Sequence, residues 1–153
     1  MEAVRTFDGL AHRTTLVRTV DGVTYYDDSK GTNVGASVTA LLGLREEKAV
    51  LIAGGKDKGG GYEALASALS NKGRAVVTIG EAAGLIEGAI GDRLPVARAS
   101  SMEDAVRLAT EFAVRGDAVL LSPACASFDM FRDYKHRGDR FVAAVEALRE
   151  GSR

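Results

Sequence analysis

The sequence predicts a three-layer α/β sandwich built on a mostly parallel sheet. Three observations carry this. Short apolar runs recur at Ala49–Ala53, Ala75–Ile79 (broken only by Thr78) and Ala118–Leu121. Segments with helical apolar spacing stand between them. Near the start, Asp21-Gly22 separates two β-rich segments, the mark of a hairpin whose glycine tolerates the positive φ of a tight turn. Strands apolar at every position are buried on both faces, so helices must cover the sheet from both sides. The layout is Rossmann-like, with the N-terminal hairpin contributing an antiparallel strand.

Taken in order, His12–Val20 reads as the first strand and Val23–Tyr26 as its return. The polar stretch Asp27-Asp28-Ser29-Lys30-Gly31-Thr32-Asn33 opens onto a helix from Val34 to Leu44, where Val34, Val38, Leu41 and Leu42 share a face. Ala49–Ala53 is a buried strand that runs into Gly54-Gly55-Lys56-Asp57-Lys58-Gly59-Gly60-Gly61. A helix at Tyr62–Ser70, a strand at Ala75–Ile79, a helix at Ala82–Ala89 and a short strand at Leu94–Ala97 follow. Ser101 with Asp104 forms the capping pattern for a helix from Met102 to Val114. The strand Ala118–Leu121 exits through Ser122-Pro123-Ala124-Cys125-Ala126-Ser127. The remainder is helical, with a break expected near Gly138 and a core stripe of Phe141, Val142, Val145 and Leu148.

Size and charge narrow the function classes. A chain of 153 residues can bury a core without disulfides or a structural metal. Its 20 basic and 21 acidic residues leave a net charge of −1, so it lacks the basic excess of a nucleic-acid binder. The single cysteine, Cys125, rules out an intrachain disulfide and fits a reducing compartment. No apolar run reaches the roughly 20 residues of a membrane span. Met1–Leu10 lacks a signal-peptide layout. A cytoplasmic location, with no membrane or nucleic-acid partner, is the expectation.

Ligands of parallel sheets sit at the carboxyl ends of the strands. Three strand exits, after Tyr26, Ala53 and Leu121, hold the densest polar and glycine content. In the first, Asp28 suits ribose hydroxyls or metal-bound water, Lys30 suits a phosphate, and the helix start attracts an anion. The plainer alternative is a solvated loop whose Thr32 or Asn33 caps the helix. The second resembles a phosphate loop, but no Ser or Thr follows either lysine, and the dinucleotide glycine fingerprint is missing. It reads as a lysine-bearing loop suited to a carboxylate or phosphate, or as a plain surface loop. In the third, small residues let backbone approach a ligand, and Ser127 is placed to start a helix. Cys125 reads as a small buried residue rather than a nucleophile. His12 and His136 lack partners for zinc, and no metal site is expected. The run Arg132–Arg137 reads as a solvated face.

Four motifs in order and register carry a resemblance over nearly the whole chain. They are Gly9-Leu10-Ala11-His12-Arg13, Asp28-Ser29-Lys30-Gly31-Thr32-Asn33, Gly54-Gly55-Lys56-Asp57-Lys58 and Ser122-Pro123-Ala124-Cys125-Ala126-Ser127-Phe128-Asp129. Together they resemble the C-terminal, amino-acid-binding domain of the Mur ligase family, in its D-glutamate-adding, MurD-type branch. The sister branches carry an Asp-…-His-…-Pro pattern where this chain has Asp-Ser-Lys-Gly-Thr-Asn.

The resemblance implies an ATP-dependent amide ligase of peptidoglycan synthesis. ATP and Mg2+ convert the carboxylate of UDP-N-acetylmuramoyl-L-alanine to an acyl phosphate, which the amine of D-glutamate attacks. It implies that Thr32 and Lys58 hold one glutamate carboxylate, and that Ser127, with Phe128 and Tyr134, holds the other. Arg13, Asp28 and Lys30 would face the nucleotide, with Lys58 and Lys30 the catalytic pair. Tyr134 and Phe128 stand where the family most often has Phe and Leu, so the pocket wall differs.

The expected organisation is one domain over residues 1–153, starting near the family's domain junction. The UDP-binding and central ATPase domains, which mainly hold ATP and Mg2+, are expected elsewhere. The isolated chain is expected to be monomeric and not to turn over. Two rival readings stand beside this one. The first is a free-standing module that binds an acidic amino acid or nucleotide. The second is a Rossmann-like oxidoreductase domain, against which the missing glycine fingerprint counts.

Overall fold

The computed structural model describes residues 14–57, 61–126 and 133–151. Among these, six strands and five helices form in the order β1 (Thr15–Val20), β2 (Val23–Asp27), α1 (Val34–Leu42), β3 (Ala49–Gly54), α2 (Glu63–Lys72), β4 (Gly73–Ile79), α3 (Ala83–Ile90), β5 (Val96–Arg98), α4 (Met102–Phe112), β6 (Ala118–Leu121) and α5 (Tyr134–Glu146). They build one six-stranded sheet in the order β1-β2-β6-β3-β4-β5. β1 and β2 pair antiparallel through the expected turn, with Asp21 at φ 52° and Gly22 at φ 80°. Both values are positive, which matches the twist of a two-residue hairpin. Every other pairing is parallel.

The three layers follow from side-chain alternation. Successive residues of a strand point to opposite faces. Tyr26, Leu51, Val76 and Leu120 therefore pack with Leu41, Leu65, Leu69 and Ile86 on one side of the sheet. Tyr25, Val50, Ile52, Val77, Val119 and Leu121 pack with Met102, Val106, Phe141 and Val145 on the other. Helices α1, α2 and α3 cover the first face and α4 and α5 the second. The central strands β3 and β6 are buried at every residue, as their unbroken apolar runs require.

Local caps match the sequence pattern. The Asn33 side chain accepts from the Ala36 amide and starts α1. Ser101 accepts from the Asp104 amide at 3.0 Å, and the Asp104 carboxylate accepts in return from the Ser100 amide. Two expectations are corrected. Helix α5 runs unbroken through Gly138, because that glycine serves close packing and not termination. A Cβ there would lie 2.5 Å from Ser29 Oγ and 3.0 Å from Asp27 Oδ2. The run expected to form a solvated face instead sends Arg137 into the interior, fully buried. Among the described residues no helix is long and apolar enough to cross a membrane.

Candidate functional site

Strands β2, β6 and β3 are neighbours in the sheet, so their carboxyl ends lie side by side. Their exit loops are stitched together by main-chain hydrogen bonds. The Ala124 amide donates to the Gly31 carbonyl at 2.7 Å, and the Gly54 amide to the Pro123 carbonyl at 2.9 Å. Lys56 and Ala126 exchange amide-to-carbonyl bonds at 2.8 and 3.3 Å. The β6 exit is thus the middle member, bonded to the loop on either side. Gly54 and Gly55 make this approach possible, at φ 131° and 138°. A Cβ on Gly54 would sit 1.9 Å from the Ile79 carbonyl oxygen, and one on Gly55 2.3 Å from that of Ala126. Gly54 and Gly55 therefore serve close backbone packing at the base of this loop.

Arg137 locks the cluster from α5. Its Nη1 donates to the Cys125 carbonyl at 3.0 Å and its Nη2 to the Ser29 carbonyl at 2.8 Å. The guanidinium thereby holds the first and third exits from the interior. A buried cation is costly unless hydrogen-bonded, and carbonyl oxygens at strand ends accept from both of its Nη atoms.

A buried polar set lies beneath the first loop. Ser122 Oγ donates to Asp28 Oδ2 at 2.7 Å and lies 2.9 Å from Ser37 Oγ, whose hydroxyl donates to the Ser122 carbonyl at 2.9 Å. Asp28, Ser37 and Ser122 are all buried. The orientation of Asp28 is therefore set by the protein.

Asp27 points to the opposite face and borders a cavity of about 250 Å3, together with Lys30, Tyr134, Lys135 and Asp139. Lys30 Nζ stands 5.7 Å from the centre of the Tyr134 ring, within cation–π range. Burial raises the Asp27 carboxyl above the usual carboxylate range, and the Asp139 charge adds to the rise. Hydrogen bonds from Ser29 and the charge of Arg137 oppose it. The Ser29 amide donates to Asp27 Oδ1 at 2.9 Å.

Of the residues singled out in the sequence, Asp28, Lys30 and Thr32 share the first loop, and Tyr134 faces Lys30 from the start of α5. Arg13, Lys58, Ser127 and Phe128 lie outside the described residues, as does His12. Their described neighbours Lys56 and Ala126 are paired, which brings the second and third loops together. Cys125 is fully buried, as a small core residue should be. Arg137, Ser37, Asp27 and Tyr62 were not singled out. Arg137 lies in a run of charged residues, where spacing marks a helix but not the side chain that turns inward. Among the described residues no group of three or more His, Cys, Asp or Glu side chains is arranged to hold a metal.

Comparisons with known proteins agree with this architecture. A domain from a putative UDP-N-acetylmuramate:L-alanyl-gamma-D-glutamyl-medo-diaminopimelate ligase of Haemophilus ducreyi aligns over 85% of this chain and 97% of its own, with a TM-score of 0.52 and 15% identity. A murein peptide ligase of Psychrobacter arcticus aligns over 90% of this chain and 30% of its own, with a TM-score of 0.61 and 17% identity. At such identities these structures speak for the fold alone. Sequence relatives are nearer. A UDP-N-acetylmuramoylalanine–D-glutamate ligase of Legionella pneumophila is 51% identical over 151 residues, covering 97% of this chain and 34% of the relative. Those of Marinobacter nauticus and Thiobacillus denitrificans are 53% identical over 150 residues and 54% over 143. They are covered to 97% and 93% on this chain, and to 34% and 30% on their own. The chain thus spans about a third of the length of these curated relatives. The family described as "Mur ligase, glutamate ligase domain" matches residues 12–125, a span that holds all three strand exits up to Cys125. A hairpin-led parallel sheet, three joined exits and that match lead to one conclusion: this chain belongs to the Mur ligase, glutamate ligase domain family.

Proposed function

We propose that this chain is the amino-acid-accepting domain of an ATP-dependent ligase that joins D-glutamate to UDP-N-acetylmuramoyl-L-alanine in peptidoglycan synthesis. The observation that carries the reading is the joining of three neighbouring strand exits by main-chain hydrogen bonds, two of them also held by Arg137, in a chain half identical to relatives that bear that name. A dianionic amino acid needs two separate cradles rich in cations or N–H groups. The first two loops supply one, through Thr32 and Lys58. The third supplies the other, through Ser127, the backbone of Phe128, and Tyr134. On this reading Arg13, Asp28 and Lys30 serve the nucleotide, Asp28 from its buried seat beneath the first loop, and Lys30 and Lys58 act on the reacting groups.

The exposed ammonium of Lys30, beside a polar cavity, fits a phosphate. The described residues gather no group of three or more carboxylate, His or Cys side chains that could hold magnesium. When bound, ATP supplies the energy of amide formation. The protein's part is to hold the glutamate amine near the acceptor carbon and to offset negative charge there.

On this reading residues 1–153 are one cytoplasmic, monomeric domain. It works with UDP-binding and ATPase domains outside it and does not turn over alone. The test is a ligation assay with ATP, UDP-N-acetylmuramoyl-L-alanine and D-glutamate, paired with calorimetry using D-glutamate, L-glutamate and ATP. No product from the chain alone is expected, with D-glutamate preferred over L-glutamate. Product from the chain alone would refute its dependence on other domains. Tight binding with no preference between the two glutamates would favour a free-standing sensor of acidic amino acids.

A further inference from the structure

Helix α5 and the first strand exit face each other across a polar pocket. Ser29 and Lys30 line it from the loop, and Tyr134, Lys135, Gly138 and Asp139 line it from the helix. Lys30 and Tyr134 therefore come from opposite walls, with the ammonium 5.7 Å from the ring centre. Their spacing depends on what joins the walls. Among the described residues no ion pair does so. The join lies beneath the pocket. Arg137 Nη2 donates to the Ser29 carbonyl at 2.8 Å. That carbonyl belongs to the planar peptide unit that leads into Lys30, so the bond fixes the root of the lysine. Beside it, Gly138 lets the helix approach until a Cβ would stand 2.5 Å from Ser29 Oγ.

Each wall is stiff in itself. The Asp133 side chain accepts from the His136 amide at 2.8 Å, and its carbonyl accepts from the Arg137 amide at 3.1 Å, which closes the first turn of α5. The Ser29 amide donates to Asp27 Oδ1 at 2.9 Å, and the Gly31 amide to the Asp28 carbonyl at 2.8 Å, which closes a turn around Lys30. Residues three and four apart share one face of a helix, so Tyr134, Arg137 and Gly138 are carried as a unit. Two stiff walls joined at one place leave the gap between them to that join.

We propose that Arg137, with Gly138 as its spacer, is a positioning residue that sets the gap between Lys30 and Tyr134 and so the fit of an anionic ligand beside them. The inference rests on the reading of Lys30 and Tyr134 as ligand-binding residues, and it adds one that touches no ligand. The guanidinium is fully buried and reaches the third exit as well, through the Cys125 carbonyl. A methionine at this position keeps much of the stem and offers no donor, which leaves the walls free to part. A misplacement of about 1 Å in such a constellation costs on the order of a hundredfold.

Three variants of the 153-residue chain test this. Arg137→Met removes the join. Gly138→Ala keeps the guanidinium but wedges the same gap open, and it serves if Arg137→Met does not fold. Leu69→Ala truncates the core in α2, beside the amino end of β4, and controls for a general loss of stability. The first readout needs no ligand. The nuclear Overhauser contact between the Lys30 methylenes and the Tyr134 ring should be present in the wild type and in Leu69→Ala, and should fade in the other two. Its absence from the wild type, its persistence in both Arg137→Met and Gly138→Ala, or an equal loss in Leu69→Ala overturns the proposal. The second readout is the Kd for D-glutamate and for ATP. Each should rise about tenfold or more in Arg137→Met and stay within about twofold in Leu69→Ala. Equal values in wild type and Arg137→Met also overturn it. If the contact fades as expected while the wild type responds to neither ligand, the positioning role stands and the reading of these residues as a ligand site fails.

Discussion

Arg137 Nη2 donates to the Ser29 carbonyl at 2.8 Å, joining α5 to a strand exit 108 residues away in sequence. With its bond to the Cys125 carbonyl, this guanidinium connects the first and third loops through the protein interior. Arg137→Met keeps the apolar stem and leaves two buried carbonyls without these donors. Hydrogen bonds to charged groups contribute about 1.5–3 kcal/mol each, offset in part by relief of the buried charge. A net loss of about 2–4 kcal/mol is expected in urea unfolding, a large share of the 5–15 kcal/mol typical of a domain. A loss below about 1 kcal/mol would show that the bridge adds little.

Gly138 and Gly88 both lie inside helices but should respond to alanine with opposite signs. Alanine gains about 1 kcal/mol over glycine in an open helix interior. The Cβ position of Gly88 meets nothing within 4 Å, so Gly88→Ala should stabilise by about 0.5–1 kcal/mol. At Gly138 the added carbon would lie 2.5 Å from Ser29 Oγ, forcing α5 away from the first loop. Overpacking costs about 1–3 kcal/mol, which outweighs the helix gain. Thermal unfolding of the two variants should show one midpoint rising and the other falling. Two rises would mean that the close packing at Gly138 relaxes freely.

Arg137 and Gly138 mark where sequence reading ends. The strands were legible because β3 and β6 are apolar at every position, and a parallel sheet buried on both faces demands this. The hairpin was legible because Asp21-Gly22 has few other uses, and the α1 and α4 caps because Asn33 and Ser101 carry the right oxygen at the right spacing. In the site, the polar loops announced themselves by composition, and Lys30 and Tyr134 do meet. Arg137 did not announce itself. In a run of charged residues, periodicity says a helix is present but not which charge turns inward, since that depends on partners supplied by loops far along the chain. Gly138 was misread for the same reason. Local propensity treats glycine as a helix breaker, whereas here a tertiary contact decides the residue.

Asp27 gives the fold a pH dependence with a definite sign. Burial and the neighbouring Asp139 raise its carboxyl above its ordinary value of 3.8, so the native state binds this proton more tightly than the unfolded chain. Where the native state binds more protons, stability falls as pH rises. The contribution of Asp27 is thus neutral well below pH 3.8, turns unfavourable as pH climbs through the interval above it, and levels off beyond the folded pKa. Asp27→Asn preserves an acceptor for the Ser29 amide and removes the titration. Its stability relative to wild type should be close to equal near pH 3 and should rise to a plateau toward neutrality. A difference that stays flat across pH, or has the opposite slope, would contradict the assignment.

Ser122 and Asp28 form a buried polar contact in the site, with the hydroxyl donating at 2.7 Å. Ser122 is fully buried, so water does not readily replace its hydroxyl, and Ser122→Ala deprives a carboxylate of one donor. The expected cost is about 2 kcal/mol, at the level of a charge-assisted bond. The bond should also show as coupling. Asp28→Ala removes the acceptor, after which the Ser122 hydroxyl has less to lose, so the double variant should be more stable than the sum of the single costs implies. The shortfall should be at least about 1 kcal/mol, within the range for residues in direct contact. Ser37 makes a useful control, because its hydroxyl donates to the Ser122 carbonyl, an acceptor that Ser122→Ala retains. Its coupling to Asp28 should therefore be weaker than that of Ser122. Additive costs for Ser122 and Asp28, to within about 0.5 kcal/mol, would mean that the carboxylate is held by its other neighbours and not by this serine.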